Sequence, residues 1–165
     1  MAGASLDIQL EISNMQAVKA AFEGLQARLA DLTPVFQDIG GAMLDVTRER
    51  FNTQTAPDGT PWAPLSPAYR AIKKQNVDQI LTLHGRLRGT LDYQADKDQV
   101  RIGTPSIYGA IHQFGAAKGS FGRTRRGSPI PWGDIPARPF LGLSSSDEQD
   151  LLDILNDHLS RAMQG

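Results

Sequence analysis

Cysteine is absent from the 165-residue chain, which removes disulfides and thiolate metal sites from consideration and suits a reducing compartment. Long hydrophobic runs are absent too. No stretch approaches the roughly 20 consecutive apolar residues of a membrane-spanning helix, so no membrane association is expected. Residues 1–12 carry neither a basic run nor a long apolar one, so no signal peptide is expected. Net charge is −1 at pH 7, and the whole molecule therefore lacks the field of a general nucleic-acid binder.

Catalytic signatures are equally sparse. The sequence contains no G-x-x-x-x-G-K-[ST], no G-x-G-x-x-G after a strand and no H-E-x-x-H. His84, His112 and His158 lie in unrelated contexts, so a zinc site would need ligands gathered from separate elements. Ser66 and Ser106 adjoin prolines rather than a nucleophile elbow. His112 reads as a core or interface histidine rather than a catalyst. The acidic pairs Asp147-Glu148 and Asp96/Asp98 stand where helix-cap and turn residues belong. Neither catalysis, a metal nor a cofactor is expected.

What is present describes one α+β domain spanning 1–165. Leu6, Ile8, Leu10 and Ile12 alternate as in a half-buried strand. Asn14 can cap a helix carrying Val18, Phe22, Leu25, Leu29 and Leu32, which Thr33-Pro34 restarts as a second, antiparallel helix. Val35, Ile39, Ala42 and Val46 form the stripe of that second helix, which closes on Arg48-Glu49-Arg50. Four prolines and the Pro57-Asp58-Gly59 turn make 54–67 irregular, with Trp62 and Leu65 as its apolar anchors. Short helices are expected over 67–75 and near 80–87. A hairpin turns at Asp96-Lys97-Asp98 between Leu91, Tyr93 and Ala95 and Val100 and Ile102. Residues 108–114 are too few for periodicity to separate helix from strand. Phe140, Leu141 and Leu143 are placed as a strand closing a small, mostly antiparallel sheet. Ser145 and Glu148 fit a capping box before an amphipathic C-terminal helix through Leu151, Ile154, Leu155 and Leu159.

Two segments stand out as docking chemistry. In Ile135-Pro136-Ala137-Arg138-Pro139-Phe140-Leu141-Gly142 the prolines stiffen an extended arm that brings an arginine and a phenylalanine together. Arg138 and Phe140 are candidates for a subunit interface or for the inner core beneath one, with Trp62, His112 and Phe114 nearby. The second segment, 115–134, holds Lys118, Arg123, Arg125 and Arg126 against Asp134 alone. It reads either as a phosphate-contacting loop, as a loop meeting an acidic protein, or as a solvated loop without a partner. Only Phe121 and Trp132 are aromatic there, a poor base-stacking platform. Its glycines predict a loop that orders on a partner.

Several stretches in order resemble the phage virion morphogenesis family, the Mu-like tail-completion group. They are Arg50-Phe51, Pro57-Asp58-Gly59 with Trp62-Ala63-Pro64-Leu65-Ser66, Ile80-Leu81 leading to Gly85-Arg86-Leu87, Val100-Arg101-Ile102-Gly103, Tyr108 to Gly115, and Ile135 to Gly142. The resemblance runs from about residue 45 to 145, and the loop from Lys118 to Trp132 departs from it. It implies a structural protein of the virion, assembled in the host cytoplasm and acting in tail completion and head–tail joining at the neck. Implied partners are further copies of itself in a ring, with a hexamer as the candidate number. The tail tube or tail terminator, neck or connector proteins, and genome DNA in the channel are the others. The competing reading is a nucleic-acid-binding module using the basic loop 118–138.

Overall fold

In a computed structural model, the structure describes residues 30–164, preceded by Lys19, Glu23, Gly24 and Gln26, which are helical. The strand expected at 6–12 and nearly all of the helix expected from Asn14 lie outside the described residues. The described elements are α1 (Thr33–Thr53), α2 (Pro67–Ile72), α3 (Arg86–Gly89), β1 (Asp92–Ala95), β2 (Val100–Gly103), α4 (Tyr108–Phe114) and α5 (Ser145–Gln164). The class is α+β, as expected.

Pro34 in the first turn opens α1, where its missing N–H costs nothing, and Gln54 ends it in a left-handed conformation. The buried face of α1 is Val35, Gly40, Met43, Leu44, Thr47, Arg50 and Phe51. That face is turned about one residue from the stripe of Ile39, Ala42 and Val46, which are only half-buried. Gly40 explains the rotation. A Cβ there would lie 2.2 Å from the Tyr93 ring, so the helix meets the sheet at the residue with no side chain.

β1 and β2 form the expected antiparallel hairpin, pairing Tyr93 with Ile102 and Ala95 with Val100. Asp96 shapes its turn by accepting from the Asp98 and Gln99 amides at 2.8 and 3.0 Å. Helix α1 packs against both strands and against α5. The core joins Leu44 and Phe51 of α1 to Trp62, Leu87, Leu91 and Phe140.

Three expectations are corrected. Among the described residues the sheet has two strands, and 140–143 adds none. The reason is local: Pro139 lacks a donor, and the Phe140 and Leu141 amides both go to the Gln113 side-chain oxygen at 3.0 Å. The capping box lies one residue earlier, at Ser144 and Asp147. There the Asp147 amide donates to Ser144 Oγ (3.1 Å) and the Ser144 amide to Asp147 Oδ2 (2.7 Å). The helix expected near 80–87 shrinks to the single turn of α3, because Leu81 takes a positive φ of 57°.

Candidate docking site

Residues 135–142 thread through the molecule and are captured by side chains that grip their backbone. Ile135 and Ala116 exchange both amide–carbonyl bonds, at 2.7 and 2.9 Å. The Arg138 amide donates to the His112 carbonyl at 2.7 Å. Trp62 Nε1 donates to the Pro139 carbonyl at 2.7 Å. From α1, Arg50 Nη1 donates to the Phe140 and Gly142 carbonyls at 3.1 and 2.8 Å. From α4, Gln113 Nε2 donates to the Leu141 carbonyl at 2.8 Å. The two prolines hold the strip extended with fewer donors of its own, which leaves its carbonyls open to these residues.

Its side chains finish the core. Phe140 is 0% exposed and lies 5.5 Å from the Phe51 ring. Phe51 in turn meets Trp62 edge-on at 5.3 Å and 82°. Arg138, 6% exposed, turns the other way and donates from Nε to the Ala63 carbonyl (2.7 Å) and from Nη2 to the Pro64 carbonyl (2.9 Å). Of the two alternatives for this arm, the described chain places Trp62, Arg138 and Phe140 within its own interior.

Two buried guanidiniums therefore sit side by side in function but differ in partner. Arg50 pairs with Asp147, which is equally buried, and so ties α1 to the first turn of α5. Arg138 has only carbonyls, and burial pushes its pKa below the ordinary arginine value. His112 lies half-buried beside it with its Nδ1 buried and unpartnered. Burial first, and then the Arg138 charge, push the His112 pKa below its ordinary value of 6.5. Below pH 6.5 the unfolded chain therefore takes up this proton more readily than the folded one. Stability is then full above about pH 6.5 and falls as pH drops through that value towards the folded pKa. In thermal melts, His112→Gln should abolish this part of the decline; an unchanged pH slope would remove His112 from its cause.

The basic segment is a built arm and not a loop awaiting a partner, which corrects that expectation. Its flanks are laddered by Phe121 N to the Ile130 carbonyl and Ile130 N to the Gly122 carbonyl, each 2.8 Å, and by Thr124 N to the Ser128 carbonyl at 2.7 Å. The Lys118 amide donates to Asp134 Oδ1 at 2.8 Å. Glycines that read as disorder supply positive φ at 119, 122 and 127, the bends a narrow ladder needs. At the tip Arg123 folds back on the Gly127 carbonyl (2.9 Å), while Arg125 and Arg126 are exposed and make no bond among the described residues.

The arm and the segment around α4 both carry exposed apolar residues, as do Ile72 and the outer face of α5 at Leu152 and Met163. Phe114 and Trp132 are each 79% exposed. Ile107, just before α4, is exposed too, whereas Gly109 and Gln113 of α4 face inward to Thr104 and to the captured strip. Of the predicted residues, then, Trp62, Arg138, Phe140 and His112 come together below the surface. Phe114, Arg123, Arg125 and Arg126 face outward. Arg50 enters the sequence reading only at the end of its helix and within the stretches of the resemblance, Gln113 only within those stretches, and Lys73 not at all; an arginine continuing the α1 apolar stripe four residues after Val46 is the available signal for Arg50. Among the described residues no group of acidic or histidine side chains could hold a metal, and no helix is long and apolar enough to cross a membrane.

A small α+β body that pins its own backbone and offers an arginine-tipped arm beside bare aromatics has the character of an assembly component. The phage virion morphogenesis family model matches residues 13–160, and the chain belongs to that family. It is 33% identical over 150 residues to the putative capsid assembly protein G of Escherichia phage Mu, covering 85% of this chain and 91% of that one. It is 29% identical to the Mu-like prophage FluMu G protein 2 of Haemophilus influenzae, over 92% of this chain and 95% of the relative. The tail completion protein S of Escherichia phage P2 is 30% identical over 69% of this chain and 75% of its own length. No solved structure gives a significant match.

Proposed function

We propose that this chain is a non-catalytic virion component that completes the tail and joins it to the head at the neck, acting as a ring of copies. The observation that carries this reading is the ordered arm, with Arg125 and Arg126 free at its tip and Trp132 and Phe114 bare alongside it. Rings close through heterologous contacts in which one patch meets a different patch on the next copy, and a pre-ordered arm loses little entropy on docking. Phe114 and the arm supply the outward contacts. Trp62, His112, Arg138 and Phe140 hold the surface in place from beneath. The names of the relatives from phages Mu and P2, in capsid assembly and tail completion, support a role in virion assembly.

Electron microscopy of particles from a phage lacking this gene tests the reading. Filled heads lying apart from finished-looking tails would place the protein at the head–tail junction, whereas overlong tails would make it a length-terminating cap. Fully infectious virions would overturn it. The tip arginines meet either DNA in the channel or an acidic neck protein. Changing Arg123, Arg125 and Arg126 together to glutamine should cut joining in an extract complementation assay by about tenfold or more, with the melting temperature unchanged. Normal joining at raised salt would remove the arm from that role.

A further inference from the structure

A cavity of about 670 Å³ opens between the 64–87 region, α4 and the captured strip. Apolar side chains including Leu81, Leu83, Tyr69, Tyr108 and Ile135 wall it, and Lys73, His112 and Arg138 reach it as well. The two permanent cations among them, Lys73 and Arg138, are anomalous. Arg138 is 6% exposed and Lys73 7%, yet neither forms an ion pair among the described residues. Buried charges are ordinarily paired, and Arg50 with Asp147 shows that this chain follows the rule elsewhere.

Neither cation is saturated by its carbonyl contacts. A guanidinium offers five N–H groups, and Arg138 engages two, at Ala63 and Pro64. Lys73 Nζ donates to the Asn76 and Gln79 carbonyls, leaving one of its three protons. Beside them His112 Nδ1 is buried with no partner. Arg86 adds a further positive charge to the wall, and Asp134 is the only carboxylate there.

We propose that this cavity is a docking pocket for an extended segment of another virion protein, one that carries a carboxylate next to a large apolar side chain. The carboxylate supplies the direct ion pair that Arg138 and Lys73 lack, Asp78 being paired with Arg70 and acting on Lys73 only at longer range, and the apolar neighbour fills the leucine and tyrosine walls. A planar carboxylate suits the open edge of a guanidinium, and the pairing is charge-assisted on both sides. The apolar walls select against a nucleic-acid backbone, whose phosphates lie on a convex, hydrated surface. The assignment rests on the proposed role in virion assembly, because it needs a protein to dock.

The test is fluorescence anisotropy of the full chain with a rhodamine-labelled acetyl-Leu-Glu-Phe-Leu-amide and its glutamine counterpart. The glutamate peptide should bind about tenfold tighter, and Lys73→Met should remove about that factor. Arg86→Gln, at an exposed wall position that leaves the fold alone, should weaken it about threefold. Equal affinity for the two peptides, no binding of either, or displacement by a 20-base-pair DNA duplex would each overturn the pocket assignment. Any of those results alongside a joining defect in the gene-deleted phage leaves the assembly role standing. Infectious gene-deleted virions sink that role instead, whatever the peptides do.

Discussion

Arg50→Met is expected to lower the unfolding free energy by about 3–5 kcal/mol, because it strands Asp147 as a buried charge without its partner. For a chain of this size that is a drop of roughly 6–20 °C in melting temperature. Both side chains of the pair are almost wholly buried, so solvent screening offers little relief. Three further consequences follow from the same substitution. The Phe140 and Gly142 carbonyls lose their donor, the captured strip is released at its C-terminal end, and the first turn of α5 loses its ion-pair tie to α1, leaving helix packing and the His158–Asp38 bond to hold the two together. The double variant Arg50→Met with Asp147→Asn should recover part of the loss, since no unpaired charge is then left inside. Urea denaturation of the two single variants and the double variant measures the coupling. Additive losses would show that the pair does not act as a unit.

Phe140→Ala should cost about 3–5 kcal/mol, the range for deleting a fully buried aromatic ring. Phe140 is fully buried and in contact with Phe51, which also carries Trp62. The vacated volume therefore lies at the junction of α1, the 54–67 loop and the strip, three segments with no common backbone to collapse along. Phe140→Leu keeps most of the apolar volume and should cost less. Denaturant melts give the stability, and complementation of a gene-deleted phage gives assembly. If Phe140→Ala left both unchanged, the strip would be neither core nor support for a docking surface.

Much of this architecture is legible in the sequence, and the reasons for the failures are physical. The hairpin is plain because Tyr93, Ala95, Val100 and Ile102 alternate around an aspartate turn whose chemistry is local. The restart at Pro34 is local in the same way. Phe140, Leu141 and Leu143 mislead because a short apolar run reads as a strand, while its amides are bound by a glutamine from α4, distant in sequence. Apolar counting also misplaces the α1 face, since its closest contact is made by Gly40 and two of its buried positions are the polar Thr47 and Arg50. Of the site, the union of Trp62, Arg138 and Phe140 is readable from the proline-stiffened strip. The cavity is not, because Lys73 looks like any solvated lysine until its burial is seen. The arm's order is hidden for a related reason: glycine-rich composition states what the backbone is free to do, and cross-strand bonds decide what it does.

The paired amide–carbonyl bonds between Ala116 and Ile135 put the two feet of the arm one hydrogen-bonded strand pair apart, about 5.5 Å between Cα atoms. A break in the chain at that gap can be bridged by a tight turn as readily as by a long ribbon. Residues 117–134 therefore form an exchangeable cassette. A segment of another length can join the same two feet while the gripped strip and the body below keep their own path.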